Sequence, residues 1–227
     1  MLKIDGLHVE RGGQAVLRGL SFTVRPGELV TLIGANGSGK STALLAIAGH
    51  IPIRAGSILW VDSRDSPQLF PRPGLLLQGG RVFASMSVRE NLEVAGRGLG
   101  TEVVTERLAG VRASLPSIAG LWNRRAGVIS GGERQVVSLA MTIVKRPTLL
   151  LLDEPLAGID ERNGRLIVEL LAQIKCQWSP AIVLVEHRET LIAKIADNVI
   201  ALKDGLAIQG RPNLSVTSAQ SCIEVTS

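Results

Sequence analysis

The chain opens with alternation. Leu2 and Ile4, then Leu20, Phe22 and Val24, are separated by polar residues, the period of strands buried on one face. They read as half-exposed antiparallel strands, and the turn residues Arg25-Pro26-Gly27-Glu28 close them. The pattern then changes to short unbroken apolar runs: "LVTLIG" (Leu29 to Gly34), "LLL" (Leu75 to Leu77), "TLLLLD" (Thr148 to Asp153) and "AIVLVEH" (Ala181 to His187). Runs of this kind suit strands covered on both faces, as in a parallel sheet. Ile167, Leu170, Leu171 and Ile174 share one helical face, as do Leu191, Ile192 and Ile195. The alternation of strand and helix predicts an α/β fold with a mostly parallel sheet, preceded by an N-terminal antiparallel β-subdomain.

Residues 79–146 contain no such strand run. Two stretches, Ser87 to Glu90 and Ser130 to Glu133, fit the Ser-x-x-Glu capping box that opens a helix. The second is followed by Val136, Leu139, Ala140, Ile143 and Val144 on one face, with Lys145-Arg146-Pro147 expected to close the helix. The expected organisation is an α/β core from 1–78 and 147–210, an inserted α-helical subdomain at 79–146, and a polar, aperiodic tail at 211–227.

Composition narrows the class. Among 227 residues, no apolar run approaches the ~20 needed to cross a bilayer, and "MLKIDGLHVE" has no signal-peptide core. Cys176 and Cys222 are too far apart to suggest a disulfide framework or a metal site, and the expected compartment is a reducing cytosol. The net charge of +5 resides in 79–146, which holds ten Arg/Lys against five Glu and no Asp. A solvated basic face accounts for it most simply; anionic lipid headgroups or an acidic partner come next. Nucleic acid is not expected, because no aromatic stacking residues are interleaved with the charge.

The chemistry concentrates at the ends of the apolar runs. "GANGSGKST" matches G-x-x-x-x-G-K-[S/T] and stands between a buried strand and a helix. Gly34, Gly37 and Gly39 let the backbone curl through Ala35, Asn36 and Ser38, so that its N–H groups face a β-phosphate. Lys40 is placed for the β- and γ-oxygens, Ser41 for Mg²⁺, and Thr42 closes the loop. Asp153 ends a buried strand at the edge where α/β sheets bind ligands, and suits Mg²⁺. Glu154 follows and is a candidate to polarise an attacking water. Gln78 and His187 end two other runs and are candidates to hydrogen-bond the γ-phosphate or that water, with Gln78 also a candidate metal ligand. His8 and His50 read as core histidines.

One stretch needs a further reason. In "ISGGERQ" (Ile129 to Gln135) two glycines follow the capping serine, and each costs about 1 kcal/mol in a helix. A capping box explains Ser130 and Glu133 but not Gly131 and Gly132. Taken in order, Gly34–Thr42, Gln78, Ser130-Gly131-Gly132, Asp153-Glu154 and His187 resemble the ATP-binding-cassette ATPase family, over about residues 2 to 210. The resemblance implies a P-loop NTPase core that binds ATP and Mg²⁺. It also implies that two cassettes pair head to tail, as a homodimer or with a second such ATPase. The signature residues Ser130 to Glu133 of one would then cap the γ-phosphate held by the loop of the other.

Asp160 matches the family's aspartate in the dimer-facing loop. "VFASMSVRENL", "LPSIAG", "RRAGVISGGERQ" and "LLLLDEPLAGID" look like the ATPases of branched-chain amino acid importers. That resemblance implies a peripheral subunit on the cytoplasmic face of the membrane, working with integral permease subunits and a periplasmic or extracellular solute-binding protein. Two positions depart from the family pattern: Arg11 stands where an aromatic usually stacks on adenine, and Leu156 where Ser or Thr is common. The rival readings are a soluble cassette ATPase acting on DNA or ribosomes and a non-hydrolysing regulatory module; Glu154 and His187 argue against the second.

Overall fold

A computed structural model describes residues 1–61 and 70–208; the expected tail at 211–227, with Cys222, lies outside the described residues. In chain order the elements are β1 (Leu2–Arg11), β2 (Gln14–Val24), β3 (Leu29–Ile33), α1 (Lys40–Ile47), β4 (Ala55–Trp60) and β5 (Gly74–Leu76). Four helices follow, α2 (Val88–Ala95), α3 (Thr101–Ser114), α4 (Pro116–Ala119) and α5 (Gly131–Ile143). The chain then runs through β6 (Leu149–Asp153), α6 (Glu161–Trp178), β7 (Ala181–Val185), α7 (Glu189–Ile192), β8 (Asn198–Lys203) and β9 (Leu206–Ile208).

Two sheets result. β1 is the centre of an antiparallel sheet in the order β2-β1-β4. The larger sheet has the order β5-β6-β7-β3-β8-β9, parallel except for the last pair. Its unbroken apolar runs are explained by two cores, one on each face. Leu150, Leu152, Ile182 and Leu184 point into a core shared with α5 and α6, while Leu149, Leu151, Val183 and Val185 point into one shared with α1, β1 and β2. Alternate side chains of one strand enter opposite faces, so both must be apolar. The predicted helix faces follow suit: Ile167, Leu170, Leu171 and Ile174 of α6 and Val136, Leu139, Ala140 and Ile143 of α5 are buried.

The register fixes where the functional ends meet. Leu76 pairs with Leu152, Asp153 with Val185, and Val185 with Leu32. The C-terminal ends of β5, β6, β7 and β3 therefore lie side by side, at the edge where parallel sheets take ligands.

Several expectations shift. β4, β8 and β9 were not anticipated. β5 stops at Leu76 and β7 at Val185, so Leu77, Glu186 and His187 lie beyond the ladder. α7 is a single turn and Ile195 falls after it. α5 ends at Ile143, before the basic residues; Arg146 takes a left-handed φ of 45° and lays its guanidinium 5.6 Å from the Trp178 ring centroid. His8 and His50 are exposed rather than in the core, His8 because it stands on the solvent side of the alternating β1.

Candidate functional site

The 34–42 loop leaves β3 and turns into α1 at Lys40. Three glycines have backbone reasons to be there. Gly34 has φ 145°, and a Cβ on it would lie 2.2 Å from the Leu202 carbonyl oxygen; Gly37 and Gly39 take φ 83° and 104°. The tight packing against β8 and the left-handed steps curl the loop, with Ser38 N–H donating to the Ala35 carbonyl at 3.1 Å, and lead it into the N-terminus of α1, the kind of helix start that suits an anion. The Lys40 side chain folds back over the loop, and its ammonium donates to the carbonyl oxygens of Gly34 (2.8 Å) and Ala35 (2.9 Å). Burial holds its pKa below the ordinary lysine range, opposed by the negative charges of Glu154 and Asp153. A triphosphate offers that ammonium stronger acceptors than two neutral carbonyls.

A cleft of about 360 Å³ is lined by Asn36, Gly37, Gly39, Lys40, Ser41, Thr42, Gln78, Glu154, His187 and Val16. Asp153, hydrogen-bonded to the cleft residue Ser41, is 4% exposed, and its Oδ1 is buried without a partner. Burial pushes this carboxyl above the usual carboxylate range; a hydrogen bond with Ser41 works against the shift, and Glu154 adds to it. An orphaned carboxylate oxygen next to a serine hydroxyl, opening on a phosphate loop, is a donor set of the hard-oxygen kind that Mg²⁺ prefers. The site therefore fits that ion.

Glu154 follows directly after the strand but does not continue it. Its φ of 49° is left-handed, and its N–H donates to the Val185 carbonyl at 2.9 Å. The twist turns the carboxylate into the cleft, where Gln78 Nε2 donates to Oε2 at 2.7 Å and His187 Nε2 lies 3.2 Å from Oε1. Three strand ends thus converge on one carboxylate. A non-glycine residue held left-handed at such a point stores strain that the surroundings must maintain.

The other candidates lie outside this cleft. Ser130 caps α5: its hydroxyl accepts from Glu133 N–H and its own N–H donates to Glu133 Oε2, which holds the Glu133 carboxyl below its usual range. Ser130 and Gly131 are exposed, and the neighbouring Val128 is 67% exposed. Asp160 caps α6, accepting from the Asn163 backbone N–H at 2.9 Å. Arg11 is exposed at the β1–β2 hairpin tip, paired with Gln14 across the Gly12-Gly13 turn; β2 reaches the cleft instead through Val16. Leu156 is fully buried, which explains an apolar residue there.

Sequence reasoning missed Val16, Gln135 and Glu186. Gln135 Nε2 donates to the Glu154 carbonyl at 3.1 Å, and buried Glu186 accepts from Leu156 N–H. A carboxylate inside an otherwise apolar run was the available signal for Glu186.

This arrangement of loop, carboxylates and capped helix can be set beside known proteins. The family model described as ABC transporter matches residues 17–157. This chain is an ATPase of the ABC transporter family. The ATPase is 35% identical to the hemin import ATP-binding protein HmuV of Streptomyces coelicolor, over 91% of this chain and 76% of that protein. It is 32% identical to the high-affinity branched-chain amino acid transport ATP-binding protein BraG of Pseudomonas aeruginosa, over 90% of each. Among solved structures, an ATP-binding subunit of an ABC transporter superposes with a TM-score of 0.79 at 25% identity, covering 90% of this chain and 87% of that one. A dimeric post-hydrolysis cassette bound to ADP and phosphate shares the fold at 23% identity, TM-score 0.75, covering 90% of this chain and 95% of that one. Among the described residues, no helix of the ATPase is long and apolar enough to cross a membrane.

Proposed function

We propose that the chain hydrolyses ATP in a head-to-tail dimer and drives import through separate membrane-spanning subunits. The observation that carries this is the Glu154 carboxylate, held by Gln78 Nε2 and facing His187 Nε2 above the phosphate loop. In this reading the loop N–H groups and Lys40 bind the β- and γ-phosphates. Ser41 and Asp153, with Gln78 beside them, would hold Mg²⁺, which when bound neutralises phosphate charge. Glu154 accepts a proton from the attacking water, and its strained backbone keeps the carboxylate aimed at that water. Gln78 and His187 orient the Glu154 carboxylate and are within reach to hydrogen-bond the water and the γ-phosphate. Ser130 to Glu133 open a helix outside the chain's own cleft, which supports their use by a partner's ATP, and Asp160 stands exposed at the start of α6, which supports its place in the dimer-facing loop. Val16, which lines the cleft, is the residue placed to meet the base, and Arg11 on the hairpin tip is the candidate to stack on adenine from outside the cleft.

We infer branched-chain amino acids as the cargo, on the motifs shared with such importers and the match to BraG over 90% of each chain; the match to the hemin importer subunit makes metal complexes the rival. A solute-binding protein outside the membrane completes the assembly. Uptake of labelled leucine by vesicles carrying the ATPase and its co-purifying membrane partner tests the cargo. Glu154→Gln tests the mechanism: turnover should fall roughly 10²–10⁴-fold, ATP affinity should persist, and gel filtration with Mg-ATP should show a trapped dimer. Normal turnover, or a monomer under saturating Mg-ATP, overturns it.

A further inference from the structure

The segment from Glu154 to Asp160 connects the two kinds of site in this molecule. It begins at the carboxylate in the cleft and ends at the exposed cap of α6. Its geometry is held by two residues that flank His187 in sequence, Glu186 and Arg188. Glu186 is 4% exposed; Oε2 accepts from Leu156 N–H at 3.1 Å, and Oε1 accepts from His187 N–H at 2.9 Å and Arg188 N–H at 3.4 Å. Arg188 Nη2 donates to the Ile159 carbonyl at 2.7 Å, one residue before Asp160. A carboxylate buried among apolar side chains is costly unless its lone pairs are filled, and here backbone N–H groups fill them.

We propose that Glu186 and Arg188 are positioning residues that clamp the 156–160 loop to the segment carrying His187. A displacement of His187 against nucleotide is thereby carried to Asp160 and the surface a partner would meet. Two backbone links on opposite ends of a five-residue loop leave it little freedom to lag behind. The proposal rests on the roles given above to His187 and Asp160, and goes beyond them by assigning the connection. Gln at 186 cannot replace Glu: its amide has one acceptor and one donor end, so a donor would face either Leu156 N–H or the 187–188 N–H groups. Lys at 188 retains one donor for the Ile159 carbonyl.

The test uses the full chain carrying Glu186→Gln, Arg188→Ala or Arg188→Lys. Three quantities are read: amide hydrogen exchange over 154–160 without nucleotide, affinity for a fluorescent ATP analogue, and kcat against KM. In Glu186→Gln and Arg188→Ala the loop should exchange faster while the rest of the chain keeps its protection. Their ATP affinity should stay within about twofold and kcat should fall roughly tenfold to a hundredfold, as expected when a reacting group is slightly misplaced. Arg188→Lys should recover most of the kcat. Unchanged loop exchange overturns the clamp, and so does faster exchange with normal kcat. Faster exchange throughout the chain, with ATP affinity lost in parallel, shows general destabilisation and overturns it as well. Loop exchange is measured without nucleotide, so it decides the clamp even if Glu154→Gln were to hydrolyse normally and the mechanism proposed above failed.

Discussion

Asp153 and Glu154 are adjacent carboxylates with different environments, and the difference separates their tasks. Asp153 sits at the end of a fully buried strand with one oxygen unpartnered, whereas Glu154, turned by its left-handed backbone, reaches the open cleft. Burial raises the Asp153 pKa in the folded chain, so the unfolded chain ionises first as pH rises. Its contribution to stability is therefore full below the ordinary carboxylate value and is lost as pH climbs through the raised folded value. Asp153→Asn should make the nucleotide-free chain melt at or above the wild-type temperature near about pH 7, with the difference shrinking towards about pH 4. The same variant should lose the extra stability that Mg-ATP confers on the wild type. Thermal melts across that pH range, with and without Mg-ATP, check both parts; a variant less stable than wild type at neutral pH contradicts the reading of Asp153 as a buried carboxylate with one unpartnered oxygen.

At the scale of elements, α5 separates two glycines that look equivalent in the sequence. A Cβ at Gly132 would lie 2.7 Å from the Gly158 carbonyl oxygen, so Gly132 is needed by the chain's own loop. A Cβ at Gly131 would meet only the end of the Arg134 side chain, at 3.9 Å. Gly132→Ala should cost stability by about 1–3 kcal/mol, the usual penalty for overpacking, while Gly131→Ala should be neutral or slightly stabilising, with its cost confined to ATPase activity. Urea unfolding of the two variants measures this, and equal destabilisation would remove the distinction. That asymmetry was not legible in "SGGE", because the close approach of Gly158 comes from an element 26 positions downstream. What was legible followed from burial. β3, β6 and β7 are covered on both faces and read as unbroken apolar runs, and both capping boxes formed. β4 and β8 are half-exposed along most of their length and β9 has three residues, so no period distinguished them. Within the site, Lys40 was legible from the glycine-rich motif, and Gln78, Glu154 and His187 because each stands at or just after the end of an apolar run; Val16 was not, because only the folding of β2 over α1 brings it to the cleft.

For the whole molecule, the proposed head-to-tail pairing gives one chain half of each of two sites. The phosphate loop and Glu154 share a cleft, but the capped N-terminus of α5 is not among the residues that line it. Two-fold pairing makes any contact reciprocal, so each of two identical sites would combine one chain's loop with the other's α5. Glu154→Gln and Gly131→Asp then lie in the same site of a mixed dimer, and its second site carries neither change. Gly131→Asp has room in the isolated chain, and its carboxylate would oppose the partner-held γ-phosphate by like-charge repulsion. Each variant alone should be nearly inactive. Mixed in equal amounts before ATP is added, half the dimers should be mixed and half their sites intact, restoring about a quarter of the wild-type rate when the sites act independently. Steady-state phosphate release against mixing ratio should peak near equal proportions. A rate that never exceeds the sum of the separate variants would mean that loop and α5 serve the same nucleotide within one chain, and the head-to-tail arrangement would have to be abandoned.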